Sequence, residues 1–308
     1  MDYIFVVVAL ALIVVGAMLL TDGSVALARR MRIPEFIVGL TVVAVGTSMP
    51  EMAVSMISAV EGHGDMAIGN VVGSNIANTL LILGVCAIFS PILFTKSNVR
   101  RDVPLNLAVS VILLLVAFTS AAINRIEGII LLIAYIAMIV YSIRNDRKAM
   151  AESEDTADEG MSALRILVWI VAGLAGLIYG GDMFVNSATN IAKAWGVSEA
   201  VIAISLVAVG TSLPELAASL ASIFKGSPSI ALGNIIGSNI ANILLILGAC
   251  STVTPLVMNG ISMTDMYMVV ATAVMLLLSA LFIGDKRITR IEGFLFLIVY
   301  VVYIYTLI

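Results

Sequence analysis

The chain has 308 residues, of which 61% are hydrophobic and 12% are charged, and its formal net charge is −4. A soluble domain carries about 25% charged residues, so this composition excludes a soluble enzyme or binding module and predicts an integral membrane protein. A helix that crosses a bilayer needs about 20 predominantly apolar residues, and such windows recur along the whole chain.

The apolar windows fall into two groups of five, which predicts ten transmembrane helices. The predicted spans are 3–21, 36–60, 67–91, 103–123 and 126–143 in the first group, and 163–181, 199–224, 229–254, 266–284 and 291–308 in the second. We therefore divide the chain into a first five-helix repeat (1–143), an acidic loop (144–162) and a second five-helix repeat (163–308). The segment AMAESEDTADEG in this loop is acidic and lacks aromatic residues, which is typical of a flexible linker.

The distribution of cationic residues predicts the orientation. If the N-terminus lies outside, all of the 16 Lys and Arg residues except Arg125 and Lys193 fall on the inner side. The positive-inside rule then places both termini outside and the acidic loop in the cytoplasm. We expect a multi-pass protein of the cell (inner) membrane whose surroundings are the lipid bilayer, with no nucleic-acid partner and no obligate protein partner.

Two motifs in the first half return in the second half at an offset of 164 residues. VAVGTSMPE (43–51) returns as VAVGTSLPE (207–215), and GNVVGSNIAN (69–78) returns as GNIIGSNIAN (233–242). Because each repeat has an odd number of spans, the two copies must enter the membrane from opposite sides. The predicted fold is an all-α membrane protein of two inverted repeats, with broken helices at a site between them.

The motif GTSMPE predicts a break inside the second span. Pro50 lacks an N–H group and crowds the preceding turn, so the helix should kink at Gly46–Thr47 and free carbonyls around 44–47 as neutral oxygen ligands. Glu51 follows, and a carboxylate in a membrane helix costs several kcal/mol unless it has a function. Serines share its helical stripe. The stripe comprises Ser48, Glu51, Ser55 and Ser58, and its repeat mates are Ser212, Glu215, Ser219 and Ser222.

The second motif supplies amides and hydroxyls on one helical face, beside glycines that are typical of a packing seam. These residues are Asn70, Ser74 and Asn78, with mates Asn234, Ser238 and Asn242. The inventory of carboxylate, hydroxyl, amide and carbonyl oxygens favours Ca²⁺ or Na⁺ over metals that prefer nitrogen or sulfur. The two carboxylates carry two negative charges, which one Ca²⁺ or two monovalent ions can balance. Competition of these ions for the same anionic site is a physical basis for exchange. Cys86 and Cys250 are predicted to be buried, unpaired core residues.

Both motifs, in both halves, resemble the two α-repeats of the cation/calcium antiporter superfamily, most closely those of prokaryotic sodium/calcium exchangers. The resemblance implies Glu51 and Glu215 as central calcium ligands, completed by the backbone carbonyls of Thr47 and Thr211. It also implies sodium sites and a central amide pair. The sodium ligands would be Ala44, Ser48 and Ser74 with their mates Ala208, Ser212 and Ser238, and the amides would be Asn78 and Asn242.

The sequence departs from the family pattern at Asn242, where several members, including potassium-dependent exchangers, carry an aspartate. This departure disfavours potassium cotransport and removes a candidate proton-binding group. Proton/calcium exchangers of the superfamily typically have GN-x-x-E at the first motif, whereas this chain has GTSMPE. The predicted function is therefore a sodium/calcium antiporter without a cofactor, and the alternative is a calcium/proton antiporter on the same fold.

Two other classes are disfavoured. An intramembrane protease would need a pair of intramembrane aspartates or a Ser/His dyad, and the single histidine, His63, falls in a polar connection. Inverted halves with broken helices favour an alternating carrier over a permanently open channel. We therefore predict a transporter and no enzymatic activity.

Overall fold

The computed structural model describes residues 1–119, 122–151, 161–195, 208–258, 262–282 and 286–307, with side chains described for all of these except 147–151 and 208–209. In the first half the α-helices are α1 (Asp2–Met31), α2 (Glu35–Val38), α3 (Ala44–Thr47), α4 (Met49–Val60), α5 (Gly64–Ala77), α6 (Leu83–Phe89), α7 (Val103–Thr119) and α8 (Arg125–Ala151). In the second half they are α9 (Ala163–Ala194), α10 (Ala208–Thr211), α11 (Leu213–Phe224), α12 (Pro228–Ala241), α13 (Leu247–Val253), α14 (Met263–Leu281) and α15 (Arg290–Leu307).

Within the described ranges, π-helical turns join or begin these helices at four places: Gly39–Val43, Asn78–Ile82, Asn98–Asp102 and Asn242–Ile246. Two of them begin at the repeat mates Asn78 and Asn242, in the middle of helices that otherwise continue as α-helix. A π-turn widens the helix by one residue per turn and is frequent at functional sites. The sequence analysis did not predict these turns.

Within the described residues, eight helices are long and apolar enough to cross a membrane, and the pair 35–47 and 49–60 forms a ninth, bent candidate. The predicted seventh span, 199–224, is represented by α10 and α11 only, since residues 196–207 lie outside the described ranges. The two spans that carry the second motif are the most buried of these candidates. In an 18-residue apolar window, 78% of the residues of Gly64–Phe89 and 94% of those of Pro228–Val253 are buried. They form the centre of the molecule.

Several helices extend beyond the predicted spans, because hydropathy detects the part that crosses hydrocarbon while the helical hydrogen bonds continue into polar turns. Helix α9 runs to Ala194 instead of ending near residue 181, and α8 continues to Ala151, so the first eight residues of the predicted loop are helical. The predicted fourth span, 103–123, is too long at its C-terminal end, because α7 ends at Thr119 and Ala122–Ile123 form a strand.

Short strands join the two halves at two places. Strand β1 (Ile92–Leu93) pairs antiparallel with β4 (Arg287–Ile288), and β2 (Ala122–Ile123) pairs antiparallel with β3 (Leu256–Val257). The orientation predicted from the cations places both members of the first pair on the inner side and both members of the second pair on the outer side. The observed pairing agrees with this grouping of the connections.

The second-motif glycines form the predicted packing seam in α12, where a Cβ atom on Gly233 or Gly237 would lie 2.3 and 2.5 Å from backbone oxygens of the 36–40 segment, so the two helices touch through their backbones. The repeat mates of that segment, 200–204, lie outside the described residues, so the corresponding seam at Gly69 and Gly73 of α5 stays a prediction. Cys86 and Cys250 are buried and unpaired, as predicted.

Candidate ion-binding site

A one-residue break interrupts each copy of the first motif. Helix α3 ends at Thr47, Ser48 adopts φ −84° and ψ 10°, and α4 begins at Met49 after a 48° bend. In the second copy, Ser212 at φ −88° and ψ 4° separates α10 from α11. The sequence predicted the break at Gly46–Thr47, slightly too early. Pro50 lies in the first turn of the new helix, where its missing N–H costs no hydrogen bond, so the old helix continues up to Ser48.

The break places a glutamate in the first turn of each new helix, at the centre of the molecule. The Glu51 and Glu215 side chains are each 1% exposed. Both lie near the positive end of a helix dipole, which favours a negative charge there. Neither carboxylate forms an ion pair within the described part of the chain.

Hydroxyl groups connect the first break to the second half. Ser48 Oγ lies 3.0 Å from Glu215 Oε1 and donates to it, and it lies 3.1 Å from Ser238 Oγ. Ser238 Oγ in turn approaches the carbonyl oxygen of Ala44 at 3.5 Å, a carbonyl that also accepts from the Ser48 N–H at 3.1 Å. Four of the predicted site residues, from both halves, therefore lie within one hydrogen-bonded chain.

Asparagines of the second motif brace each glutamate-bearing helix in the same way. Asn70 Nδ2 donates to Ser55 Oγ (3.0 Å) and to the Glu51 carbonyl (3.2 Å). In the other half, Asn234 Nδ2 donates to Ser219 Oγ (3.0 Å) and to the Glu215 carbonyl (3.4 Å). The predicted serine stripe is therefore partly a packing surface, since Ser55 and Ser219 bind these amides instead of facing the carboxylates.

The sequence analysis missed two asparagines, Asn75 and Asn239, which connect the halves through Asn78 and Asn242. Asn78 Nδ2 donates to Asn239 Oδ1 at 3.1 Å, and Asn242 Nδ2 donates to Asn75 Oδ1 at 2.9 Å. Each copy of the motif GSNIAN contains one asparagine of each of these pairs, three residues apart. Such spacing places the two asparagines of a copy on the same face of one helix, which was the available signal.

Nine buried side-chain oxygens have no hydrogen-bond partner among the described residues, and five of them belong to the predicted site: Glu51 Oε2, Glu215 Oε2, Asn78 Oδ1, Asn242 Oδ1 and Ser212 Oγ. The other four are Ser24 Oγ, Asn106 Oδ1, Tyr135 Oη and Glu292 Oε1. Buried polar atoms nearly always have a partner, so unpaired oxygens from both halves of the predicted site need one. A cation bound among them would supply it. The carboxylate, amide and hydroxyl oxygens of this set suit Na⁺ or Ca²⁺ better than Zn²⁺, which prefers nitrogen or sulfur.

The structure gives only burial or a single contact for most of the remaining predicted residues. Ser74 is buried in α5, one turn before Asn78, and Thr47 donates to Asn234 Oδ1 at 3.2 Å, so its side chain braces the helix pair. Thr211 is half-buried at the end of α10. Ala208 begins that helix, and its side chain lies outside the described residues.

Comparison with known proteins agrees with this geometry. The family described as sodium/calcium exchanger protein matches residues 1–144 and 165–308. The putative antiporter CaxA of Alkalimonas amylolytica is 37% identical over 99% of this chain and 98% of its own length. The sodium/calcium exchanger MaX1 of Methanosarcina acetivorans is 30% identical over 99% and 98%. A solved structure of the sodium-calcium exchanger NCX_Mj, soaked with Na⁺ and Ca²⁺, superimposes with a TM-score of 0.87 at 32% identity, covering 100% of this chain and 98% of that one. The chain belongs to the sodium/calcium exchanger family, whose members are ion transporters.

Proposed function

We propose that the protein is a secondary active antiporter that exchanges sodium for calcium across the membrane by alternating access. The observation that carries the proposal is the cluster of unpaired oxygens, contributed by both halves, around two buried glutamates. Two carboxylates without a cationic side chain in an interior of low dielectric are unfavourable unless mobile cations neutralise them. One Ca²⁺ or two Na⁺ ions would do so, and the two would exclude each other.

Within this proposal, each half contributes the same kinds of ligand. Glu51 and Glu215 are the calcium ligands, with the backbone carbonyls of Thr47 and Thr211. The sodium ligands are Ser48, Ser74 and the Ala44 carbonyl in one half, with Ser212, Ser238 and the Ala208 carbonyl in the other. Asn78 and Asn242 contribute neutral oxygens between the carboxylates. Hydroxyl and carbonyl oxygens suit Na⁺, whereas carboxylates suit Ca²⁺.

One observation supports duplicated halves. Repeat mates make equivalent contacts, such as Asn70 to Ser55 and Asn234 to Ser219, both at 3.0 Å. Inverted copies of one unit around a shared site are typical of carriers that work by alternating access.

The orientation follows from the cations: both termini outside and the loop between the halves in the cytoplasm. In this orientation the β2–β3 end faces outward and the β1–β4 end faces the cytoplasm.

The experiment that tests the proposal uses purified protein in sealed proteoliposomes. Calcium uptake is measured when a sodium gradient is imposed at clamped pH, and again when a proton gradient is imposed without sodium. Uptake driven by sodium alone is expected. Uptake driven by protons and unaffected by sodium would favour the calcium/proton antiporter instead, in which the two glutamates carry protons.

A further inference from the structure

Four buried asparagines form one hydrogen-bonded cluster at the contact between α5 and α12. Asn75, Asn78, Asn239 and Asn242 are each at most 2% exposed. An amide side chain has a donor end and an acceptor end, so the partners of one amide determine which end the next must present. The orientation of the whole cluster therefore depends on any partner that can only accept or only donate.

The backbone carbonyl of Asn239 is such a partner. The amide of Asn75 lies 3.1 Å from this carbonyl oxygen, and because a carbonyl can only accept, the nitrogen of Asn75 must face it. Asn75 Oδ1 then faces Asn242, which lies 2.9 Å away and must present its own nitrogen. Asn242 Oδ1 is consequently the atom left buried without a partner among the described residues.

The repeat mate of Asn242 is not fixed in this way. Asn78 Nδ2 donates to Asn239 Oδ1, and Asn239 Nδ2 donates to the hydroxyl of Thr79 at 2.9 Å. A hydroxyl can donate as well as accept, so Asn239 can turn over, keep its bond to Thr79 and let Asn78 turn as well. The second half has no such hydroxyl, because position 243 is isoleucine.

We infer that Asn75 is a positioning residue that holds the amide of Asn242 with its oxygen towards the transported ion. This inference rests on the proposed function, since the ion is the partner assigned to that oxygen. The carbonyl of Asn239 prevents Asn242 from presenting its NH₂ group, which would repel a cation. The site thus contains two amide groups of different freedom. The orientation of the Asn242 amide is fixed with its oxygen towards the ion, whereas the Asn78 amide can turn over. Preorganised ligands bind more tightly because no reorganisation accompanies binding.

A double-mutant cycle in purified, detergent-solubilised protein tests the inference. Sodium and calcium affinities are measured from the ion-dependent rise in unfolding temperature for the wild type, Asn75→Leu, Asn242→Ala and the double variant. Asn75→Leu should weaken ion binding about five- to tenfold, the scale of one hydrogen bond. The double variant should bind no more weakly than Asn242→Ala, because Asn75 acts through Asn242.

Thr79→Val is the matched control, since it removes a hydrogen bond of the same cluster that does not orient Asn242. Its effect on affinity should add to that of Asn242→Ala. Asn75→Ala replaces Asn75→Leu in the cycle if the leucine variant does not purify as a monodisperse species. A purely structural role for Asn75 would lower the ion-free unfolding temperature without this coupling in affinity.

Additive effects of Asn75→Leu and Asn242→Ala, or wild-type affinity in Asn75→Leu, would overturn the inference while leaving the proposed function intact. A wild type that sodium and calcium both fail to stabilise would overturn the proposed function and, with it, the inference.

Discussion

At the residue scale, the proposed exchange depends on two glutamates that each keep one buried carboxylate oxygen without a hydrogen-bond donor in the described residues. The sequence predicted both as ligands, because a carboxylate inside an apolar helix requires a compensating partner. It did not identify Asn75 and Asn239, since an asparagine that binds another asparagine across the halves has the same local pattern as a helix-packing residue. Which amide atom faces the ion depends on a backbone carbonyl of the other half, which no local pattern shows.

The first prediction concerns these carboxylates. Glu51→Gln or Glu215→Gln should lower calcium affinity at least about 100-fold, because removing one charge of a buried pair around a divalent cation costs about 3 kcal/mol or more. Calcium titration calorimetry on the purified variants measures this. Glu292→Gln is the control, because Glu292 is also buried but accepts from the N–H and hydroxyl of Thr289 away from the site. Calcium affinity close to wild type in either central variant would refute the assignment.

The second prediction concerns Asn242, which offers a neutral oxygen where some relatives of the superfamily have a carboxylate. Calcium flux in the wild type should be the same with and without external potassium at fixed sodium and pH. Asn242→Asp adds a third carboxylate beside Glu51 and Glu215, so its flux should become sensitive to potassium or to acid. A strict potassium requirement in the wild type would show that the amide has been misinterpreted.

At the element scale, the breaks and seams position these residues. The sequence predicted the broken helix, because proline cannot continue the hydrogen bonds of the preceding turn. It missed the π-turns that begin at Asn78 and Asn242, since π-turns have no sequence signature comparable to that of proline. It also predicted a packing seam at the second-motif glycines, which is observed at Gly233 and Gly237 of α12.

The third prediction concerns the seam of α12. Gly237→Ala would place a Cβ atom 2.5 Å from the Leu40 carbonyl oxygen, so it should destabilise the protein by about 1–3 kcal/mol, which a thermal unfolding measurement in detergent detects. Gly181→Ala is the control, because a Cβ atom there would lie 3.8 Å from the Pro214 ring, an ordinary contact distance, and should leave the unfolding temperature close to that of the wild type. An unfolding temperature of Gly237→Ala equal to that of the wild type would contradict close backbone packing at this seam.

At the scale of the whole molecule, contacts between the halves group the connections into two ends. The β1–β4 and β2–β3 pairs each join one connection from the first half to one from the second. An ion pair between Lys225 and Asp22 lies among connections assigned to the same side as β1–β4. The sequence predicted this grouping through its cations, because orientation depends on charge bias and not on packing. The absolute direction remains a prediction.

The fourth prediction tests that direction. Cysteines placed at the exposed positions Ser162 and His63 should react from opposite sides: Ser162→Cys only from inside and His63→Cys only from outside. The native Cys86 and Cys250 are buried and should contribute little background. Labelling of intact cells with a membrane-impermeant thiol reagent measures both positions. Labelling of Ser162→Cys in intact cells would reverse the orientation.

The central claim is that one site, shared by both halves, carries calcium in one direction and sodium in the other. Its most direct test is to follow calcium entry and sodium exit simultaneously in the same proteoliposomes, for the wild type, Glu51→Gln and Glu215→Gln. We predict that the two fluxes rise and fall together in a fixed ratio in the wild type, and that both disappear in either variant. Calcium entry that continues without sodium exit, or that persists in either variant, would contradict the account.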